Sequence, residues 1–266
     1  MRQRRIKNLD EKMEYLSDLV VGDPASAKGK WRGLFSLEIP EMNAGQADHA
    51  AAADSENPGN DERVLMFAEI GCGKGKFIRD MALMHPERLY AAFEGNQSVV
   101  YHAMQKADES GLTNVRFVTD YIDMMDEFFD EGELDGIYLN FSDPWPKFKH
   151  EKRRLTAGKR LDSYVKAVRS GGFIEFRTDN DDLFEYTMER LMEQSGIRIV
   201  AVTNDLHGEI HETASRIDLT ELTDCGFEDG VDEQLTTLQD LSVTSEYEDK
   251  FSSHGKTINF VRVKVI

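Results

Sequence analysis

Cysteine is scarce in this chain, and long apolar runs are missing altogether. The two cysteines, Cys72 and Cys225, form no CxxC pair and are too few for a disulfide framework or a four-ligand zinc site. No apolar run approaches the roughly 20 residues that a membrane-spanning helix needs. The basic start is not followed by the apolar segment of a secretory signal. We therefore expect a soluble, cytoplasmic protein with free thiols and no membrane contact.

An excess of positive charge is also missing, because 32 basic side chains face 50 acidic ones and the formal net charge is −18. Such a balance argues against a protein that simply coats nucleic acid, so a nucleic-acid partner needs a local basic surface. The seven histidines are scattered, and no metal site is expected.

Two basic stretches stand out against this acidic background. They are Arg2, Arg4, Arg5 and Lys7 at the start, and Lys147, Lys149, Lys152, Arg153, Arg154, Lys159 and Arg160 in mid-chain. The first fits a disordered solubilising arm as well as a nucleic-acid contact. The second, which we call the basic cluster, lies beside Trp145 and Phe148, and cations next to aromatic rings suit phosphate contact and base stacking. A solvated helix face is the alternative.

The chain divides into three parts. Residues 1–44 form a basic arm and lead-in segment, and residues 45–62 are small, acidic and aperiodic, which predicts a flexible insertion. Residues 63–266 are long enough for one domain with a single large core. A second acidic stretch, at about 221–241, is interpreted as a solvated loop.

From Val64 onward, short apolar runs alternate with helical patterns. This alternation predicts an α/β fold, in which a mostly parallel sheet of about seven strands carries helices on both faces. The predicted strands are 64–70, 88–94, 115–118, 134–141 and 171–178, followed by two that begin at Ile197 and Thr257. The last of them alternates as a late antiparallel edge strand does. The predicted helices lie at about 76–84, 97–110, 121–129, 156–169 and 180–195.

The first predicted strand runs directly into a glycine-rich turn. Gly71, Gly73 and Gly75 allow the backbone to approach a ligand closely, but Lys76 stands where a dinucleotide fingerprint requires its third glycine. Glu69 precedes the turn, where its carboxylate faces a cation favourably and repels a pyrophosphate. Spacing and charge both favour S-adenosylmethionine over NAD.

Two further acids follow the next two strands. Glu94 lies at the carboxyl edge of the sheet, where a carboxylate accepts from both hydroxyls of a ribose. Asp120 is placed to accept from an adenine amino group, or alternatively to cap a helix that begins at Tyr121. Three acids after three successive strands form a stronger constellation than any of them alone.

The fourth predicted strand ends in the sequence NFSDPWPK, from Asn140 to Lys147. Two prolines around a tryptophan cannot continue a strand or a helix, so a rigid loop is predicted at the same edge of the sheet. Asp143, Trp145 and Lys147 then offer a carboxylate, an aromatic face and a cation. A tryptophan packed on the core is the alternative.

These motifs resemble those of the bacterial tRNA (guanine-N7)-methyltransferases, a family with the Rossmann-like class I methyltransferase fold. The resemblance covers most of the chain, including GKWRGLF from Gly29. It rests on EIGCGKGKF from Glu69, YLNFSDPWPK from Tyr138, HEKRRL from His150, FRTDN from Phe176 and SEYEDKF from Ser245. The two acidic insertions exceed the usual length of the family, so no role for them follows from the resemblance.

The resemblance implies methyl transfer from S-adenosylmethionine to N7 of a guanine in tRNA, giving 7-methylguanosine, by a monomer or homodimer. It implies that Asp143 is catalytic and also contacts the cofactor. The implied cofactor contacts are Glu69, Gly71, Gly73, Glu94, Asp120 and Asp143, and the implied substrate contacts are Lys147, Asp179, Ser245, Glu246, Tyr247 and Glu248. The usual family residue at position 245 is threonine, and Ser245 keeps its hydroxyl.

Three alternatives remain open at this point. The methyl acceptor could be another RNA base or a small molecule, although the basic cluster argues against a small molecule. A cofactor-free RNA-binding module would leave the glycine turn and the three acids without a purpose. An NAD-dependent oxidoreductase is disfavoured by the glycine spacing and by Glu69.

Overall fold

The computed structural model describes residues 6–35, 63–210 and 235–266. Several predictions fall outside these ranges: Arg2, Arg4 and Arg5, Cys225, the insertion at 45–62 and most of the acidic stretch at 221–241. Across the described ranges, no helix is long and apolar enough to cross a membrane.

The centre of the structure is a seven-stranded sheet with the order β3-β2-β1-β4-β5-β7-β6. Strands β1 to β5 pair in parallel with one another, and β7 runs antiparallel to both β5 and β6. The strands are β1 Met66–Ile70, β2 Leu89–Phe93, β3 Val115–Val118, β4 Leu134–Asn140, β5 Val168–Thr178, β6 Ile197–Thr203 and β7 Asn259–Val265. The predicted α/β fold with a mostly parallel sheet is confirmed.

Helices cover both faces of the sheet. They are α1 Leu9–Tyr15, α2 Lys76–Met84, α3 Gln97–Glu109, α4 Gly158–Ala167, α5 Asp181–Glu193, α6 Leu238–Ser242 and α7 Glu246–Ser252. Apolar side chains of α2 and α3 pack on one face, and those of α4 and α5 pack on the other. Because β1 is buried on both faces, its residues are almost all apolar, as in other parallel sheets.

Two predicted elements differ from the structure. The helix predicted at 121–129 is only a 3-10 turn at Met125–Glu127, because α4 side chains take the backbone groups that a helix would need. The Met125 amide donates to Ser163 Oγ at 3.1 Å, and Arg160 donates to the Ile122 carbonyl at 2.6 Å. The strand β7 is antiparallel as predicted but lies inside the sheet, and the half-exposed β6 forms the edge.

The motif GKWRGLF anchors the N-terminal segment to the sheet domain. Trp31 is fully buried, stacks on Phe129 at 4.7 Å, and donates from Nε1 to the Phe128 carbonyl at 2.7 Å. The Glu133 carboxylate accepts from the amides of Gly29 and Trp31. Within the described residues, this motif therefore has a packing role, and the Trp31 ring also lies 6.1 Å from the ring of Phe93 at the end of β2.

Asp135, near the start of β4, is a buried carboxylate that joins three parts of the chain. It accepts from the Met66 amide at 2.8 Å and pairs with Arg32, Arg63 and Arg169. Removing one partner of a buried ionic network leaves the other charges uncompensated.

We expect Asp135→Ala to lower the free energy of unfolding by about 3 to 5 kcal/mol, because it strands the Met66 amide and the arginines. Asp135→Asn should lose less, since its side-chain oxygen still accepts from Met66. Urea unfolding followed by circular dichroism measures both. An Asp135→Ala loss below about 1 kcal/mol, typical of an exposed pair, would contradict the buried network.

Candidate active site

The carboxyl ends of four neighbouring strands meet at one edge of the sheet. In the order β3-β2-β1-β4, these strands end at Val118, Phe93, Ile70 and Asn140. The chain order reverses between β1 and β4, and ligands of open α/β sheets bind in the crevice at such a switch point. We call this region the strand-end site.

The glycine-rich turn closes one side of the strand-end site. The amides of Gly71 and Cys72 donate to the Phe93 carbonyl at 2.8 and 2.9 Å, which ties the turn to the end of β2. A side chain at Gly75 would meet Ala103 of α3 at 2.5 Å, whereas side chains at Gly71 and Gly73 would meet nothing within 4 Å. Gly75 is therefore required for helix packing, and the space beside the Cα atoms of Gly71 and Gly73 is open to a ligand.

Glu69 lies at the centre of the site and is 2% exposed. Its Oε1 accepts from Asn140 Nδ2 at 3.0 Å, a partner that sequence reasoning missed although it is the polar end of an apolar strand. Burial raises the pKa of the Glu69 carboxyl to about 8, and the hydrogen bond from Asn140 lowers it in part. A cation bound next to this carboxyl would lower its pKa and favour the ionised form.

Three buried polar atoms around Glu69 lack a hydrogen-bond partner among the described residues. They are Glu69 Oε2, Asn140 Oδ1 and Ser142 Oγ. Buried polar atoms are normally paired, so each unpaired atom calls for an explanation. The ionised Glu69 carboxylate and the Asn140 oxygen accept hydrogen bonds, and the Ser142 hydroxyl both donates and accepts. This set fits a ligand that brings hydrogen-bond donors to the ends of β1 and β4.

Glu94 and Asp143 share this site electrostatically. Glu94 is half-buried, and its Oε1 accepts from the Asn96 amide at 2.9 Å. Burial raises the pKa of Glu94, and the nearby charge of Asp143 raises it further. The structure thus brings together the acid that follows β2 and the acid in the loop after β4.

Asp120 is exposed at the end of β3 and accepts from the Tyr121 amide at 2.7 Å. The alternative that it caps an α-helix is wrong, because no α-helix follows it. The Tyr121 ring instead packs against Gly95, where an added Cβ would lie 2.4 Å from it.

The segment Phe141–Lys147 is an irregular loop, as predicted, and we call it the β4 loop. Phe141 and Trp145 have positive φ angles of 51° and 40°, which side-chain-bearing residues rarely adopt. Between them, Asp143 is exposed. The loop therefore holds the Asp143 carboxylate outward at the strand-end site.

The helix α7 is fastened to the glycine turn from the opposite end of the chain. Its first residue, Glu246, accepts from the Lys76 amide at 3.4 Å and forms an ion pair with Lys106 of α3. Lys76 Nζ donates to the carbonyl and hydroxyl of Thr244 at 3.0 and 2.7 Å. The residues around 246 are consequently next to the turn that opens α2.

The block Ser245–Glu248 divides between an inner and an outer side. Ser245 and Glu248 form a capping box, and Glu248 is fully buried, with Arg177 at 3.6 Å and His207 at 3.1 Å. Tyr247 is 56% exposed and stacks on Phe251. Glu248 therefore anchors the block to the interior of the protein, and the ring of Tyr247 is exposed to solvent. Sequence reasoning missed Arg177, a charged residue inside β5.

The predicted tRNA contacts lie near the same edge. Lys147 is exposed on the β4 loop. Asp179 directly follows β5, the next strand along, and pairs with Lys256 at 2.9 Å. A phosphate or base would compete with this ion pair.

The basic cluster is not a uniform surface. Its exposed members are Lys147, Lys149, Lys152, Arg153 and Lys159. Arg154 and Arg160 are half-buried and donate to backbone carbonyls of neighbouring loops. Only the exposed members are free to face phosphates.

The end of the acidic stretch differs from the solvated loop that was predicted. Asp240 is 2% exposed, with its oxygens 2.5 Å from His85 Nε2 and 3.2 Å from Arg88. Leu235 and Leu241 are buried beside it. The interpretation was wrong for these residues, because Arg88, His85 and apolar neighbours hold them on the protein.

The described residues contain no group of three or more His, Cys, Asp or Glu side chains that could hold a metal ion.

Comparisons with known proteins agree with this geometry. A family model described as a putative methyltransferase matches residues 63–261. The tRNA (guanine-N(7)-)-methyltransferase of Lactococcus lactis subsp. cremoris (strain MG1363) is 36% identical over 266 residues, 100% of this chain and 99% of that protein. The proteins of the same name from Oceanobacillus iheyensis and Streptococcus pneumoniae (strain 70585) are each 34% identical, over 97% of this chain and 96% and 97% of theirs.

The raised pKa of Glu69 predicts a pH-dependent stability. A carboxyl whose pKa is about 8 when folded and roughly 4.3 when unfolded stabilises the protein at low pH, and this contribution is lost as the pH rises through 8. We expect the thermal midpoint of the cofactor-free protein to fall between about pH 5 and pH 8.5, and to fall less in Glu69→Gln. Identical pH dependence of both proteins would show that Glu69 ionises normally.

Proposed function

Because the chain belongs to the tRNA (guanine-N(7)-)-methyltransferase family, we propose that the strand-end site is where it methylates N7 of a guanine in tRNA. The observation that carries this proposal is the set of unpaired buried atoms on Glu69, Asn140 and Ser142, between the glycine turn and the β4 loop. A tRNA substrate also fits the cytoplasmic location expected from the sequence.

The residues present fit S-adenosylmethionine. We assign the cationic amino group of its methionine part to Glu69, whose raised pKa and unpaired oxygen suit a cation. The open space beside Gly71 and Gly73 would accommodate the same part of the cofactor. Glu94 accepts from the ribose hydroxyls, and Asp120 accepts from the adenine amino group. When bound, the cofactor supplies a methyl group on a positively charged sulfur.

Guanine N7 carries an in-plane lone pair and no proton, so its attack on the methyl carbon needs little help from a general base. Positioning of the two reactants should dominate the rate. Alkylation leaves positive charge on the purine, and the exposed carboxylate of Asp143 stabilises that charge as it develops. Asp143 therefore has an orienting and electrostatic role.

The guanine is proposed to enter between the β4 loop and α7. The exposed ring of Tyr247 offers a stacking surface there, and Glu246 offers a carboxylate for the pairing edge of the base. Glu248 keeps this block in place through its capping box with Ser245. Lys147, at the end of the β4 loop, and Asp179, after β5, contact the tRNA.

Phosphate contacts come from the exposed members of the basic cluster. They form a locally positive surface on a protein whose net charge is −18. Exposing a stacked guanine costs a few kcal/mol, and these contacts offset that cost.

The test is transfer of labelled methyl from S-adenosylmethionine to unmodified tRNA, followed by nucleoside analysis. The parent should form 7-methylguanosine, and Asp143→Ala should lower kcat about 100-fold because it removes a charge next to the reacting base. Asp143→Asn keeps the size of the side chain and separates charge from shape. Asp108→Ala, an exposed acid on α3, is the matched control and should match the parent.

Each other outcome has a definite meaning. Another methylated nucleoside would show that the acceptor is wrong, and full activity of Asp143→Ala would show that its role is wrong. Failure of the parent to bind S-adenosylmethionine would favour a cofactor-free RNA-binding protein.

A further inference from the structure

The β4 loop contains two residues in a backbone conformation that L-residues avoid. Phe141 and Trp145 have φ angles of 51° and 40°, on either side of Asp143. Such residues cost on the order of 1 to 3 kcal/mol each and persist only where their surroundings hold them. Pro144 and Pro146 restrict the loop but donate no backbone hydrogen bond. The Phe141 end of the loop is held because its amide donates to the Arg177 carbonyl at 2.9 Å and its ring stacks on Phe251. The Trp145 end needs a partner of its own.

Arg154 is that partner. Its Nε donates to the Pro144 carbonyl at 3.0 Å, and one terminal nitrogen donates to the Trp145 carbonyl at 3.3 Å. One planar guanidinium therefore donates hydrogen bonds to the backbone carbonyls of the two residues that follow Asp143. The five N–H donors of arginine lie in a rigid fork, which lysine, with its single ammonium, does not reproduce.

The guanidinium of Arg154 is itself held in place. It lies 4.2 Å above the ring centroid of Tyr186 on α5. The Tyr186 hydroxyl donates to Glu151 Oε1 at 3.0 Å, which fixes the ring against the 3-10 helix Phe148–Arg153. The loop is therefore connected through Arg154 to a helix of the rigid core.

The preceding arginine has a different environment. Arg153 is exposed, and its guanidinium lies 4.8 Å above the Trp145 ring centroid. Its polar edge remains accessible to a phosphate. The two adjacent arginines therefore have different environments: Arg154 bonds to the protein backbone, and Arg153 is accessible to a phosphate.

We propose that Arg154 is a positioning residue for methyl transfer, which holds the Pro144 and Trp145 carbonyls so that Asp143 faces the reacting guanine. It acts within the protein and does not contact tRNA phosphate. This inference rests on the proposed function, because the loop has to orient Asp143 only if Asp143 acts on the base.

The experiment compares Arg154→Met and Arg154→Lys with Arg153→Met, the matched neighbour. Methyl transfer gives kcat and KM for tRNA, and tRNA binding at several salt concentrations gives the slope of log affinity against log salt. Arg154→Met should lower kcat about 10- to 100-fold, because a small misplacement of a reacting group slows the reaction strongly. The salt slope should remain unchanged. Arg154→Lys should not restore kcat.

Arg153→Met should behave in the opposite way. We expect a higher KM for tRNA, a salt slope smaller by about one and a smaller fall in kcat than in Arg154→Met, as for a lost phosphate contact. If Arg154→Met shows this pattern instead, Arg154 is a phosphate contact and the proposal is overturned.

Two further readouts keep the test decisive. Parent-like affinity for S-adenosylhomocysteine shows that a variant is folded, and if Arg154→Met does not fold, Arg154→Lys carries the comparison. Acrylamide quenching of tryptophan fluorescence follows the loop without activity, because Trp31 is fully buried and Trp145 is half-buried. Arg154→Met should increase this quenching. Unchanged quenching would contradict the proposal that Arg154 holds the β4 loop.

If the parent forms no 7-methylguanosine, the proposed function fails. The quenching and the salt slope then still decide whether Arg154 holds the β4 loop or binds phosphate.

Discussion

The parallel pairing of β1 with β2 and β4 is the constraint on which the candidate site depends. It sets Glu69 opposite Ala92 and Tyr138, so the ends of the three strands lie side by side and the loops that follow them enclose one crevice. The same pairing buries Glu69, raises its pKa and leaves one of its oxygens without a partner. A buried polar atom without a partner is costly. The pairing therefore places an unpaired carboxyl oxygen where the cofactor is proposed to bind.

The other elements hold the surroundings of this crevice. Lys76 of α2 and Lys106 of α3 fasten α7 and the nearby Thr244 to these two helices, so the glycine turn and the proposed base pocket belong to one unit. Arg154 fastens the β4 loop to α5. A protein with net charge −18 thus uses some of its cations to join segments of the fold, and others remain exposed where tRNA is proposed to bind.

Local signals made much of this predictable. The apolar runs and the glycine turn indicated the strands and the position of Glu69, because parallel strands and tight turns restrict residue type strongly. The helix predicted after Asp120 does not form, since Arg160 and Ser163 capture its backbone groups, and no local pattern reveals such tertiary bonds. Burial of Glu248 and Asp240 was equally hidden, because their partners Arg177, Arg88 and His85 are distant in sequence.

The most direct test of the proposed cofactor site is a crystal structure of the protein with S-adenosylhomocysteine. We predict that the amino group of the ligand lies within hydrogen-bond distance of the Glu69 and Asn140 oxygens, with the ribose hydroxyls at Glu94. A ligand bound elsewhere, with Glu69 Oε2 still unpaired, would contradict the assignment of the strand-end site.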